Sequence, residues 1–400
     1  MRAVTRPLSA YADSTVDLND VAGGDGVLFV RNAIGVAGRG VAATVPVDDA
    51  VAFLAGLEHD STVPGVGPIA LGCVPFVPGS PADLVIPAVQ FRKDAGGTTT
   101  VTIVGDSDEE IVRDALRRRD PAPATAASWS IRPVVDVDDY LAAVAAARDA
   151  VRAGELTKAV IARPIVVQSS EPIDVHAVLR RLRASFGSSF RYSIDGFIGA
   201  SPELLVEVDG AAVRSHPLAG TAPRTGDVDN DARLAAELIA STKNQIEHRV
   251  VIDVVHDTLL PWASYLDWEP DPSIVTVANV QHLGTRMEGM LSQPGPSVIE
   301  LVRALSPTPA LGGHPRDAAI ELIQRVEGFE RGRYGGAVGW VDAAGNGTWA
   351  VAIRCAELSD DRRSARLVAG GGIVADSDPH AELAETQAKF QAMLSAIVRP

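Results

Sequence analysis

Apolar runs with the two-residue period of β-strands follow one another along this chain more often than they alternate with helices. Such runs fall at 188–199, 203–208, 273–288, 334–343, 348–358 and 364–374, while 3.6-residue periodicity marks helices at 229–260, 296–305, 315–326 and 379–397. A βαβ alternation demands a helix between successive parallel strands, so this order excludes it. No internal repeat of 20 to 50 residues is present. The pattern predicts an α+β fold with large antiparallel sheets.

The 400 residues are 46% hydrophobic and 22% charged, enough for an ordinary core and unlike a disordered, fibrous or membrane-spanning chain. The length allows two or three domains, but one large sheet system can absorb a chain of this size. Residues 25–105 hold short β-like runs, and a Pro/Ala-rich stretch at 106–128 reads as a linker. The expected organisation is therefore a β-rich part, 1–128, and a region 129–400 that carries the chemistry.

With 36 basic against 51 acidic residues the net charge is −15, which opposes nucleic acid and anionic membranes as partners. A few local cations can still capture a small anion. Cys73 and Cys355 both lie in apolar strand-like runs, as suits buried thiols in a reducing compartment. The N-terminus has no unbroken apolar stretch of the signal-peptide kind, so the cytoplasm is the expected location.

Four places carry candidate chemistry. Alternation in TKAVIARPIVV puts Lys158 at the start of a strand, on one face with Val160 and Ala162. In TWAVAIRCAEL it puts Arg354 among alanines, where a guanidinium could grip a carboxylate in two-point fashion or pair with a core acid. Glu382, Glu385 and Lys389 share one face of the last helix, and Glu247 stands beside His248 on the long helix before it. Carboxylates from two helices suit Mg²⁺, although each alone reads more readily as a solvated helix face. The glycines of RYGGAVGW and LVAGGGIVADSDP match neither a dinucleotide fingerprint nor a P-loop.

Nine segments in order carry a resemblance: LTKAVIAR at 156–163, FIGASPELLV at 197–206, HPLAGTAPR at 216–224, STKNQIEH at 241–248, VQHLG at 280–284, PTPALGG at 307–313, RYGGAVGW at 333–340, VAIRCAEL at 351–358, and AGGGIV through ELAETQAKF at 369–390. From about 130 to 398 the chain resembles the chorismate-utilising enzymes, the family of anthranilate synthase component I, aminodeoxychorismate synthase, salicylate synthase and isochorismate synthase. The resemblance implies two large antiparallel sheets packed together with surrounding helices, the N-terminal third included, so that the chain is one structural unit. It also implies Mg²⁺-dependent chemistry on chorismate.

By motif match, Lys158 is the general base that activates water and Glu203 the acid that protonates the departing C4 hydroxyl. Glu247 and Glu385 are implied as direct Mg²⁺ ligands, with Glu382 acting through water. Tyr334 and Arg354 would hold the enolpyruvyl carboxylate, Lys389 and the backbone at Gly371 would assist with carboxylates, and Gly220, Thr221 and His282 would lie against the ring. Asn244 departs from the pattern, because family members usually have an acid there, and weaker metal affinity is expected.

Ala310 and Leu311 replace the PxGxxxGAPK segment of the amine-forming enzymes, so the resemblance implies water rather than ammonia as nucleophile and no amidotransferase subunit. Isochorismate synthase is the nearest match. Salicylate synthases, which go on to eliminate pyruvate, often have Thr at the position of Ala310. A non-catalytic module is disfavoured because Lys158, Glu203, Glu247 and Glu385 are all present, and a metal hydrolase built on His248 and His282 lacks the ligand spacing. A monomer is expected, and menaquinone, siderophore and salicylate biosynthesis all stay open as destinations of the product.

Overall fold

The computed structural model describes residues 1–13, 15–106, 109–117 and 127–398. Two large, mainly antiparallel sheets of thirteen and nine strands pack face to face, with a three-stranded sheet beside them. The mixed α+β class expected from the sequence is what forms.

The thirteen-stranded sheet runs in space from Trp129–Pro133 through Lys158–Ser169, Ser364–Ile373 and Cys355–Leu358 to the hairpin Phe197–Ser201/Phe190–Ile194. It continues without a break into N-terminal strands, because Arg191, Tyr192 and Ser193 pair with Val30, Phe29 and Leu28. The nine-stranded sheet joins the halves again where Ala337–Asp342 pairs with Ile69–Val74. Between the sheets lies one apolar layer that includes Phe29, Leu71, Tyr192, Val206, Val338 and Trp349. Cys73 and Cys355 are free, buried thiols.

Several element boundaries differ from the expected ones, each for a local reason. The run 188–199 is two strands, since Asp195 and Gly196 both take positive φ (48° and 68°) and form the tight turn that Asp-Gly favours. The helix expected over 229–260 is two helices, Val228–Ala240 and Thr242–Leu259, separated by Ser241, whose side chain accepts from the Asn244 N–H and caps the second. The run 273–288 divides among three strands, Ser273–Thr276, Val280–Gly284 and Met287–Leu291. Part of the presumed linker is helical, as Glu109–Leu116 buries Val112 and Ala115; 107–108 and 118–126 lie outside the described residues.

The most consequential difference is at Arg354. The strand expected over 348–358 stops at Val351 and resumes at Cys355, and Arg354 has φ +51°, so strict alternation does not set its direction.

Candidate active site

A cavity of about 840 Å³, its mouth included, is enclosed by the strands Lys158–Ser169 and Ser364–Ile373, the helices Thr242–Leu259 and Pro379–Val398, and the small sheet. Lys158, Glu203, Gly220, Thr221, Glu247, His282, Ala310, Leu311, Tyr334, Arg354, Glu382, Glu385 and Lys389 all line it. Gly371 does not; its neighbours Gly370 and Gly372 do. A Cβ at Gly371 would meet Glu382 Oε2 at 2.5 Å, so that glycine makes room for the carboxylates rather than facing the cavity.

Lys158 is 1% exposed. Its Nζ stands 2.9 Å from Glu247 Oε1, yet the angle is too poor for a hydrogen bond, leaving a contact of charges with the ammonium protons undirected. Gly372 opposes Val160 in the neighbouring strand, and a Cβ there would meet Glu247 Oε1 at 2.3 Å and Lys158 Cε at 3.0 Å. Only glycine leaves space for this pair.

Glu203 follows Pro202 at the start of the strand Leu204–Asp209 and is 2% exposed. Burial pushes its carboxyl up to about 8, against the opposing pull of the Leu218 N–H, which donates to Oε1 at 3.4 Å, and of Lys158 and Arg354. At neutral pH it holds a proton, as a general acid must.

At the other end, Glu382 and Glu385 project from the last helix. Burial, with Glu385 alongside, pushes Glu382 up to about 7. Burial also acts upward on Glu385, but its ion pair with Lys389, with Arg354 and Lys243 nearby, holds it below the usual carboxylate range. Lys389 donates to the Gly370 carbonyl at 2.7 Å.

His282, Arg354 and Tyr334 form a further wall. Arg354 Nη2 donates to His282 Nε2 at 3.2 Å, and the His282 Nδ1–H then faces the Gly220 carbonyl at 3.1 Å. Burial, then Arg354 and Lys389, lower the imidazole to about 3, so it is neutral and its tautomer is set by these two contacts. Arg354 Nη1 is buried with no hydrogen-bond partner, and no carboxylate among the described residues lies within ion-pair distance of the side chain. A guanidinium so placed has unspent donors for an anion; it is not the core salt bridge that its setting among alanines also allowed.

Lys243 was not singled out from the sequence, although it stands one turn before Glu247 on the same helix; its Nζ is 3.7 Å from Glu382 Oε1. Its inclusion gives the cavity four cations, Lys158, Lys243, Arg354 and Lys389, against four carboxyls. Asn244 also lines it. Among the described residues no three acidic, histidine or cysteine side chains converge into a ready-made metal shell. Nevertheless Glu382 Oε2 is buried without a partner, and the donors here are hard oxygens. Mg²⁺ needs only one or two protein carboxylates, with water and substrate completing its shell, and the site fits it on those terms.

A buried proton donor, a lysine, a guanidinium with free donors and an acidic end suited to a divalent cation define an enzyme site for a small polycarboxylate. The profile of the family described as chorismate binding enzyme matches residues 55–398. The chain is 41% identical over 281 residues to isochorismate synthase DhbC of Bacillus subtilis, covering 68% of this chain and 70% of that one. It is 34% identical over 354 residues to isochorismate synthase EntC of Escherichia coli, covering 86% and 84%. Among solved structures, MenF, the menaquinone-specific isochorismate synthase of Escherichia coli, superposes with a TM-score of 0.83 at 25% identity, covering 99% of this chain and 94% of that one. This chain belongs to the chorismate binding enzyme family.

Proposed function

We propose that this protein is an isochorismate synthase that converts chorismate to isochorismate, with Lys158 as base and Glu203 as acid. The observation that carries this reading is a carboxyl held protonated by burial in the same cavity as a buried lysine. Water is a poor nucleophile and hydroxide a poor leaving group near neutrality, so the reaction needs one group of each kind.

Lys158 takes a proton from water as that water's oxygen attacks C2. The ring double bonds shift, the C4–O bond breaks, and the Glu203 proton leaves with the hydroxyl as water. One water enters and one departs, so the product is an isomer. Arg354 and Tyr334 bind the enolpyruvyl carboxylate in this reading, and Ala310 and Leu311 add no polar side chain to the cavity wall. Glu247 and Glu385, with Glu382 through water, would hold Mg²⁺, which when bound neutralises the ring carboxylate. A dianionic substrate and a divalent cation entering together bring no net charge into the cavity.

We take the chain to act as one unit and as a monomer in the cytoplasm, without a glutamine amidotransferase. The test is incubation of purified protein with chorismate and Mg²⁺, with an EDTA control, and separation of products by chromatography with mass detection. Metal-dependent appearance of isochorismate supports the proposal. Salicylate with pyruvate would make it a salicylate synthase instead, and unchanged chorismate, with or without ammonia, would leave a binding module.

Asn244 gives a separate prediction. It lines the acidic end with a neutral amide, so an Asn244→Asp variant is expected to bind Mg²⁺ more tightly, by about tenfold if the new charge adds about 1.4 kcal/mol. Calorimetric titration of Mg²⁺ in the two proteins decides it; equal affinities would remove Asn244 from the metal site.

A further inference from the structure

The strand Lys158–Ser169 has an unusual edge. On one side it pairs continuously with Ser364–Ile373. On the other, Gly313–His314 covers Lys158 and Ala159, and Trp129–Pro133 covers Ile165 to Ser169, leaving the middle without a partner strand. A buried ion pair occupies part of that gap.

Glu327 and Arg331 lie one helical turn apart in sequence, with side chains 1% and 2% exposed. Glu327 Oε1 accepts from the Ala162 N–H at 2.7 Å, and Arg331 Nη2 donates to the Val160 carbonyl at 2.7 Å. The pair thus supplies side-chain groups where a neighbouring strand would supply peptide groups. Arg331 Nη1 also donates to the Leu311 carbonyl at 2.7 Å, and its Nε donates to Glu327 Oε2 at 2.9 Å. The guanidinium lies over the Phe76 ring, 4.2 Å from its centre, and 5.9 Å from the centre of the Tyr334 ring.

One guanidinium therefore ties together the strand that carries Lys158, the Ala310–Leu311 turn and the Tyr334 wall, while neither member of the pair lines the cavity. Stability alone is a weak reason for burying two charges, since apolar residues of similar volume often serve as well. We propose that Glu327 and Arg331 are positioning residues that set the placement of Lys158 relative to the Leu311 turn and Tyr334; this rests on Lys158 being the base. The pair touches no substrate.

The test is Arg331→Lys, which keeps the charge and loses the fork, and Glu327→Gln, which is isosteric but brings an amide that cannot accept from all its present donors. Steady-state kinetics with chorismate and saturating Mg²⁺ are measured well below each variant's melting temperature, with and without sucrose. The expected result is a kcat lower by about 10²-fold, as for a catalytic group displaced by about 1 Å, with KM within about threefold of wild type. Sucrose favours the compact state and is expected not to restore kcat.

Wild-type kcat in a folded variant overturns the proposal, as does activity that sucrose restores in proportion to folded protein. Failure of both variants to fold would make the pair a folding element and overturn it too. Wild-type enzyme that leaves chorismate unchanged is a different outcome, which removes the assignment of Lys158 itself.

Discussion

A Glu203→Gln variant is expected to bind chorismate about as well as wild type and to turn it over about 10³-fold more slowly, within the range for loss of one general acid. The amide keeps the shape and can still accept from the Leu218 N–H, so folding should be intact, as circular dichroism would register. The proton is what disappears. In wild type the acid form dominates below about 8, so activity should fall as pH rises through that region, by about one decade per pH unit. The residual activity of Glu203→Gln should lack this alkaline limb. A limb that persists in the variant would assign the titration to another group, and near-normal kcat would remove Glu203 from the mechanism.

Lys158→Ala is expected to abolish measurable turnover, a loss of about 10³-fold or more, while leaving a folded protein. The substitution opens space beside Gly372 and removes the cation next to Glu247, so Mg²⁺ affinity, measured by calorimetry, should be retained or increased. Loss of turnover with metal binding retained separates a missing base from a collapsed site. If methylamine restores part of the rate, in proportion to its free-base form, the role of the amine is supported. Activity within tenfold of wild type would mean that water is activated by some other group.

Much of the site was legible because its residues stand in short segments whose local structure the sequence specifies. Lys158 begins an alternating run, and it does open a strand; Glu382, Glu385 and Lys389 share a helix face, and all three line the cavity. Arg354 was placed correctly in the cavity for the wrong reason. Alternation gave it a face, whereas an interruption of the strand with positive φ gives it its direction, and nothing in VAIRCAEL advertises that interruption. Ser241 and Asp195-Gly196, by contrast, did carry capping and turn signals that divide the longer runs.

Apart from the resemblance, the residues of the N-terminal third did not show its role. Its strands are ordinary apolar runs, and their task depends on pairing partners more than a hundred residues away, such as Val338 for Cys73. Phe76 illustrates the limit. It is one aromatic residue in a loop until the fold brings Arg331 over its ring. Glu327 and Arg331 were missed for the same reason, because a Glu/Arg pair at helical spacing ordinarily describes a solvated surface.

The interleaving of the two halves bears on how the molecule is made. As the chain leaves the ribosome, Val27–Arg31 and Ile69–Val74 exist long before Phe190–Ile194 and Ala337–Asp342 are synthesised to pair with them. Neither large sheet can close until the chain is nearly finished, and in the interval these strands have open edges of the kind that associate with other chains. Yield on expression should therefore depend on synthesis rate and temperature, and chains truncated before residue 337 should accumulate in the insoluble fraction.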